Sequence, residues 1–270
     1  MRDENPTRSS AGEPPLITIA VPSLNQGRFL EEALVSIFSQ NIPVEVFVVD
    51  GGSSDHSVEI IKRWESKLAG WRTGPDRGQA AAINEAIARG RAPYVAWLNS
   101  DDLYCKRGLG VLLHALECNP SAPMSYGLAG NIDAESHQIS NVWVQPFSER
   151  WLSLRNVISQ PATLIRREVW QSVGGLDENL HMALDYDLWW RIYRQAGLPK
   201  FIPSQVAMNR KHDQTKTQTQ RKRHYREATA VVRRHFGRLP LKWLLMWPYA
   251  VWFKSLLAQQ EKNTQFSRHF

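Results

Sequence analysis

Apolar residues in this chain fall into runs of two kinds. Leu16 to Val21 and Val44 to Val49 are short, nearly unbroken and rich in β-branched residues, as strands buried on both faces require. Between them Phe29, Leu30, Ala33, Leu34, Ile37 and Phe38 recur at helical spacing while Glu31, Glu32 and Ser36 take the opposite side, which predicts an amphipathic helix. The order repeats. Val58, Ile61, Trp64 and Leu68 mark a second helix, Gln79 to Ala88 a third, and Tyr94 to Leu98 the next strand. Such alternation predicts an α/β fold with a mostly parallel central sheet flanked by helices.

Beyond Asp102 the pattern is mixed. A helix is expected near Leu109 to Leu116, with short strands near Ser125 to Gly130, Ile139 to Val144 and Ala162 to Ile165, so the sheet turns partly antiparallel. Gly174-Gly175-Leu176-Asp177 breaks the chain, and Asp187 to Ala196 returns to helix with Leu188, Trp189 and Ile192 inward. Three regions result: a disordered lead-in over 1–15, a catalytic domain over 16–215, and a basic, amphipathic helical tail over 216–270.

Composition narrows the class. With 43% apolar and 22% charged residues in 270, the chain can bury a full core. Its two cysteines, Cys105 and Cys118, suit a reducing compartment and cannot build a metal cluster alone. The first fifteen residues lack a signal peptide's apolar core, and no window reaches the roughly 20 apolar residues of a spanning helix. A cytoplasmic location is expected. The net charge of +7 is concentrated between Arg210 and Arg238. Next to it, Leu241 to Leu257 carries Trp243, Trp247 and Trp252 but is interrupted by Lys242, Pro248 and Lys254, which suits peripheral contact with an anionic membrane surface, at the inner face of the cell membrane. The basic, aromatic tail also fits a nucleic-acid-binding module, against which the acidic strand ends described next weigh.

In sheets of this kind ligands bind beyond the carboxyl ends of the strands. Those ends read Pro22-Ser23-Leu24-Asn25, Asp50-Gly51-Gly52-Ser53-Ser54-Asp55 and Asn99-Ser100-Asp101-Asp102. Asp101 and Asp102 are hard oxygen donors able to hold Mg²⁺ or Mn²⁺ beside a diphosphate, though an isolated Asp pair serves equally well as a turn cap. Asp50 could accept from a base edge, and the glycines after it admit close backbone approach. Asp76-Arg77-Gly78-Gln79 opens a helix in which Asn84 could face the same crevice, with Arg77 available to phosphate. Asp185 and Asp187 flank Tyr186, and either could take a proton from an attacking hydroxyl. His212, in Asn209-Arg210-Lys211-His212, sits among cations suited to a departing diphosphate. Neither a Walker loop nor a Rossmann GxGxxG is present, which disfavours ATPase and dehydrogenase chemistry.

Together these blocks, in order from about Leu16 to Thr215, resemble family 2 glycosyltransferases of the A-type fold, in particular the bacterial branch that assembles O-antigen and other surface polysaccharides. The resemblance implies an inverting, metal-dependent hexosyltransferase using a nucleotide diphosphate-sugar donor, a saccharide or lipid-linked acceptor, and Mn²⁺ or Mg²⁺; nucleic acid is not an implied partner. It places Pro22, Ser23, Asn25, Asp50 and Gly51 at the nucleotide, and Asp76, Gly78, Gln79 and Asn84 toward the phosphates or donor sugar. Asn99, Ser100 and Asp101 form a DxD-like motif, with Asp101 on ribose or metal, Asp102 on the metal and His212 as a further ligand. Asp185 matches the base, with Leu184 in place of a preceding acid leaving Asp187 open. An inactive scaffold with the same fold is the remaining alternative, disfavoured by the retained acidic positions.

Overall fold

A computed structural model describes residues 13–213 and 215–248. Most of the expected lead-in and the tail beyond 248, Trp252 and Lys254 included, lie outside the described residues. The first half runs β1 (Ile17–Ser23), α1 (Gly27–Phe38), β2 (Val44–Asp50), α2 (Ser57–Trp64), β3 (Gly70–Thr73), α3 (Gln79–Arg89) and β4 (Tyr94–Trp97). All pairings among β1 to β4 are parallel. The second half continues with β5 (Leu103–Tyr104), α4 (Gly108–Glu117), β6 (Met124–Ile132), β7 (Gln138–Asn141), α5 (Glu149–Leu154), β8 (Thr163–Arg166), α6 (Arg167–Ser172), α7 (Leu184–Ala196), β9 (Lys200–Arg210), α8 (Lys216–Thr219), α9 (Arg221–Phe236) and α10 (Leu241–Trp247).

The strands form one sheet ordered β3-β2-β1-β4-β8-β6-β9-β5, with β7 also on β6. β8 enters antiparallel to both β4 and β6, β9 runs parallel to β6, and β5 antiparallel to β9. The expected change from parallel to mixed therefore occurs at β8. Some elements depart from the periodic reading. α2 stops at Trp64, and a 3₁₀ turn at Glu65–Lys67 leads into β3, an edge strand whose Gly-Trp-Arg-Thr is too short and too exposed to carry an apolar run. β9 spans a register jump in which Tyr126 faces Phe201 but Leu128 faces Gln205; the bulge absorbs Pro203, which has no N–H for the ladder.

The sheet buries both faces. On one, α1, α2 and α4 cover Ile19, Val21, Val46, Val48 and Leu98. On the other lie α3, α6 and α7, where Trp97 stacks on Trp189 at 5.9 Å between centroids and meets Trp170 edge-on. Trp190 is buried as fully as Trp189, because α7 is sandwiched: its outer side is covered by α9, with His235 stacked on the Trp190 indole. α9 adds Ala228, Val231 and Val232 to the same core, roughly 1.5–3 kcal/mol for each valine. A shared core thus runs across position 215/216, where a domain boundary is expected, and α9 forms a further layer outside α7. By contrast Leu241, Leu244 and Leu245 of α10 are exposed. Among the described residues no helix is long and apolar enough to cross a membrane.

Candidate active site

An open cleft of about 530 Å³ lies beyond the carboxyl ends of β1 and β4. Of the residues singled out from the sequence, Pro22, Ser23, Asp76, Gly78, Gln79, Asn99, Ser100, Asp101, Asp102 and Asp185 line it. Asn25, Asp50, Gly51, Asn84 and His212 do not.

The departures have local causes. Asp50, fully buried at the end of β2, accepts from the Gly52 and Ser53 amides at 3.0 and 2.9 Å and from Thr73 Oγ1 at 2.6 Å, with the Ser53 hydroxyl on its other oxygen. Its carboxylate is engaged in shaping its own loop rather than directed at a base edge. Asn25 takes a left-handed φ of 54° and its Oδ1 accepts from the Ser54 amide at 2.8 Å, tying the β1 and β2 loops together. Gly51 lies against the Asp76 carboxyl, so that a Cβ there would come within 3.1 Å of Oδ2. Asn84 lies outside the cleft lining: its Oδ1 accepts from the Leu176 amide and its Nδ2 donates to the Leu176 carbonyl, both at 2.9 Å. It is a clamp on the Gly174–Asp177 turn. Arg77 pairs with Glu178 at 2.9 Å.

On the cleft wall, Gly78 sits at φ +112°, a conformation that only glycine adopts without strain, and its amide donates to Asp76 Oδ1 at 2.8 Å. This turn starts α3 and presents Gln79, which donates to Asn99 Oδ1 at 2.7 Å and accepts from Lys216 Nζ at 2.8 Å. Asn99 in turn donates to Asp102 Oδ2 at 3.0 Å and Gln160 Oε1 at 3.1 Å. The other Asp102 oxygen accepts from the Arg210 amide at 2.9 Å. Asp102 therefore stitches the β4 loop to the end of β9. Burial, then the adjacent Asp101 charge, pushes its pKa well above the usual carboxylate range, against the pull of the Arg210 amide, Asn99 and Lys211.

Asp101 has the freer carboxylate, and its Oδ2 lies 3.0 Å from His212 Nε2. His212 stands just behind the lining with its ring tilted on Phe29. Of the three expected ligands, the carboxylate and imidazole that meet are Asp101 and His212, whereas both oxygens of Asp102 accept from protein donors. A hard oxygen beside an imidazole fits Mn²⁺ better than Mg²⁺. Among the described residues no group of three or more His, Cys, Asp or Glu side chains converges, so these two would leave most positions to water and donor oxygens. Arg210 is not a phosphate cation. It is buried, with Nε on the Asp101 carbonyl, Nη1 on the Asp133 carbonyl and Nη2 on Glu32 at 2.6 Å. Lys211 and Lys216 also line the cleft; burial lowers the Lys216 pKa, partly offset by Asp101 and Asp76.

Opposite, the first turn of α7 carries Asp185, which accepts from Asn156 Nδ2 at 2.9 Å and the Tyr186 amide at 2.8 Å. Burial raises its pKa to about 6, against those two donors. Asp187 points the other way, accepting from Arg191 Nε and lying against His235 Nε2, each at 2.7 Å. Burial acts to raise its pKa, but the contacts to His235 and Arg191 outweigh it and hold Asp187 charged. Only Asp185 of the two faces the cleft. Asn156, which fixes it, belongs to no block singled out above; its partner is 29 residues away, and nothing in the local pattern announces the contact.

The loops thus bring an Asp–His pair, two lysines and a carboxylate with a pKa near 6 around one cleft. A sequence model described as glycosyl transferase family 2 matches residues 18–171, more than half the chain. The chain belongs to glycosyl transferase family 2. The matched span covers β1 to β8 and most of α6, leaving Asp185, His212 and Lys216 of this glycosyltransferase outside it. An uncharacterized glycosyltransferase of Rickettsia prowazekii is 27% identical over 193 residues, 68% of this chain and 60% of that protein. A chondroitin synthase of Escherichia coli is 25% identical over 181 residues, 66% of this chain but 26% of its own length. The chain therefore spans under two thirds of either relative. Among solved structures, S. aureus TarS 1–349 in complex with UDP-GlcNAc superposes with a TM-score of 0.67 at 16% identity, over 83% of this chain and 67% of that one. A mannosyltransferase, PcManGT of Pyrobaculum calidifontis, in complex with GDP-Man and Mn²⁺, gives 0.64 at 20% identity over 86% and 67%. At such identities the likeness concerns the fold, which is that of the A-type glycosyltransferases.

Proposed function

We propose that this glycosyltransferase moves a sugar from a nucleotide diphosphate donor to a saccharide acceptor with inversion, using a divalent cation held by Asp101 and His212 and Asp185 as general base. One observation carries the reading: Asp185, with a pKa near 6, faces the same cleft as the Asp101–His212 pair and is held there by Asn156. In the transfer Asp185 accepts the proton of the attacking hydroxyl as the new glycosidic bond forms and the bond to the diphosphate breaks. A single base with direct displacement inverts the anomeric centre. When bound, the cation supplies charge neutralisation for the departing diphosphate. Lys211 and Lys216 add to it, and Gln79 links Lys216 to the Asn99 loop.

The donor class is supported by the structural neighbours, which hold UDP-GlcNAc and GDP-Man, and polymer synthesis by relatives named chondroitin and hyaluronan synthase. A surface-polysaccharide role with a lipid-linked acceptor, at the cytoplasmic face of a membrane, is our reading of the exposed Leu241, Leu244 and Leu245 beside the basic α9. The carboxylates of the cleft argue against nucleic acid as its occupant.

The test is a thermal-shift screen of UDP-, GDP- and dTDP-sugars with and without Mn²⁺, followed by transfer assays and NMR of the product's anomeric configuration. One donor should raise Tm in a Mn²⁺-dependent manner. No donor binding, or a product of retained configuration, would overturn the proposal.

A further inference from the structure

Three consecutive backbone amides lead into α7, those of His181, Met182 and Ala183, and all donate to a single carboxylate oxygen, Glu227 Oε2, at 3.0, 2.7 and 3.2 Å. Glu227 comes from α9, 44 residues beyond Ala183. Its other oxygen accepts from Arg223 Nε at 3.0 Å, so the carboxylate is used in full and is nearly buried. Burial alone would raise its pKa, but the amides of Met182 and His181, Arg223 and the Ala183 amide together hold it low, and it stays charged. Ala183, the residue before α7, has no side chain able to cap a helix, and the negative charge for this end of the helix arrives from α9 instead. Asp185 is two residues further on.

α9 grips α7 a second time, where Asp187 lies between Arg191 of α7 and His235 of α9. The two grips lie on either side of Asp185 in sequence. Asp101 and His212 themselves are carried by the β4 and β9 ends, and Glu227 makes no hydrogen bond to either, although His181 and Met182 of the pinned segment also line the cleft. We infer that Glu227 is a positioning residue for the reaction: by pinning the 181–183 backbone it sets where the first turn of α7, and hence the Asp185 carboxylate, stands relative to the bound acceptor. This rests on the reading of Asp185 as the base. It gives α9 a part in the chemistry that its basic composition does not suggest.

The experiment compares wild type, Glu227→Gln and Glu227→Ala in the full chain, using the donor identified by the screen. Displacing a catalytic group by a fraction of an ångström to an ångström costs roughly tenfold to a hundredfold in rate, so Glu227→Ala should lose that much kcat with donor KM within about twofold. Glu227→Gln keeps the length and one acceptor oxygen and should recover a substantial part of the loss. Hydrogen exchange at the amides of 181–183, read without substrate, should quicken at least tenfold in Glu227→Ala while exchange in β1 and β4 is unchanged. Faster exchange with kcat unchanged would overturn the positioning role, as would a kcat loss matched by an equal rise in donor KM or left unrelieved by Gln. A wild type inactive with every donor would instead defeat the assignment of Asp185 as base.

Discussion

Replacing Asp185 by Asn should move activity and stability in opposite directions. Asp185 has a pKa near 6 in the folded chain against about 3.9 in an unfolded one. A carboxyl whose folded pKa is raised favours the protonated folded state, so its contribution is most favourable below about pH 4. It declines as pH climbs to about 6 and is lowest above that. At neutral pH the charge costs on the order of 2–3 kcal/mol, at about 1.4 kcal/mol per pKa unit. Asn removes that cost but leaves one of two donors, the Tyr186 amide or Asn156 Nδ2, without its acceptor, a loss of about 1–2 kcal/mol. The net gain is about 1 kcal/mol, or about 2–4 °C in Tm for a chain of this size. Over the same change kcat should fall by roughly 10²–10⁴ as general-base catalysis is lost. In the wild type, kcat should rise with pH and level off, with about one tenth of the base ionised at pH 5 and about nine tenths at pH 7. The measurements are melting curves at pH 7 and initial rates from pH 5 to 8 at saturating donor. Asp185→Asn retaining a third or more of wild-type kcat, or melting several degrees lower, would refute the reasoning.

Further outcomes follow from the site. Asp101→Ala and His212→Ala should each raise the Mn²⁺ concentration for half-maximal activity at least tenfold, whereas Asp102→Asn should act mainly by lowering Tm, since both its oxygens bind protein donors; metal titrations of activity alongside melting curves separate the two. Asn84→Ala should lower Tm by several degrees, because it leaves the Leu176 amide and carbonyl unpaired at about 1–3 kcal/mol, with donor KM little changed. Asp187→Asn should cost about 3 kcal/mol at pH 7 by removing the carboxylate that neutralises the nearly buried Arg191. Because the folded pKa of Asp187 is depressed, the stabilisation exists above the unfolded value near 4 and is lost as pH falls below it, so the gap in Tm between wild type and variant should close in acid.

What the sequence determines about this protein is local. Strand runs such as Leu16 to Val21 and the helical stripe from Phe29 to Phe38 are imposed by the spacing of apolar side chains, and that spacing survives folding because a one-residue slip would turn core residues outward. The strand-end loops, Asn99 to Asp102 above all, were legible for the same reason, since a parallel sheet can present ligands only at those ends. The tertiary structure decided how individual polar groups are used. Asp50, Asn84, Asp102 and Arg210 have the chemistry of ligand-binding residues, yet each spends it on protein partners; for Asn84, Asp102 and Arg210 some of these are 92 to 178 positions away, and no local pattern encodes such distances. The same holds for the choice between Asp185 and Asp187. Two positions apart on a helix, they point to different sides, and the packing of α9 against one side of α7 determines which carboxylate lies against His235 and Arg191 and which is left to face the cleft. A composition rich in Lys and Arg left open whether that helix packs on the domain with its basic face solvated or lies against a membrane, and the packing is decided by its few apolar residues, Ala228, Val231 and Val232, whose burial closes the core over Trp190.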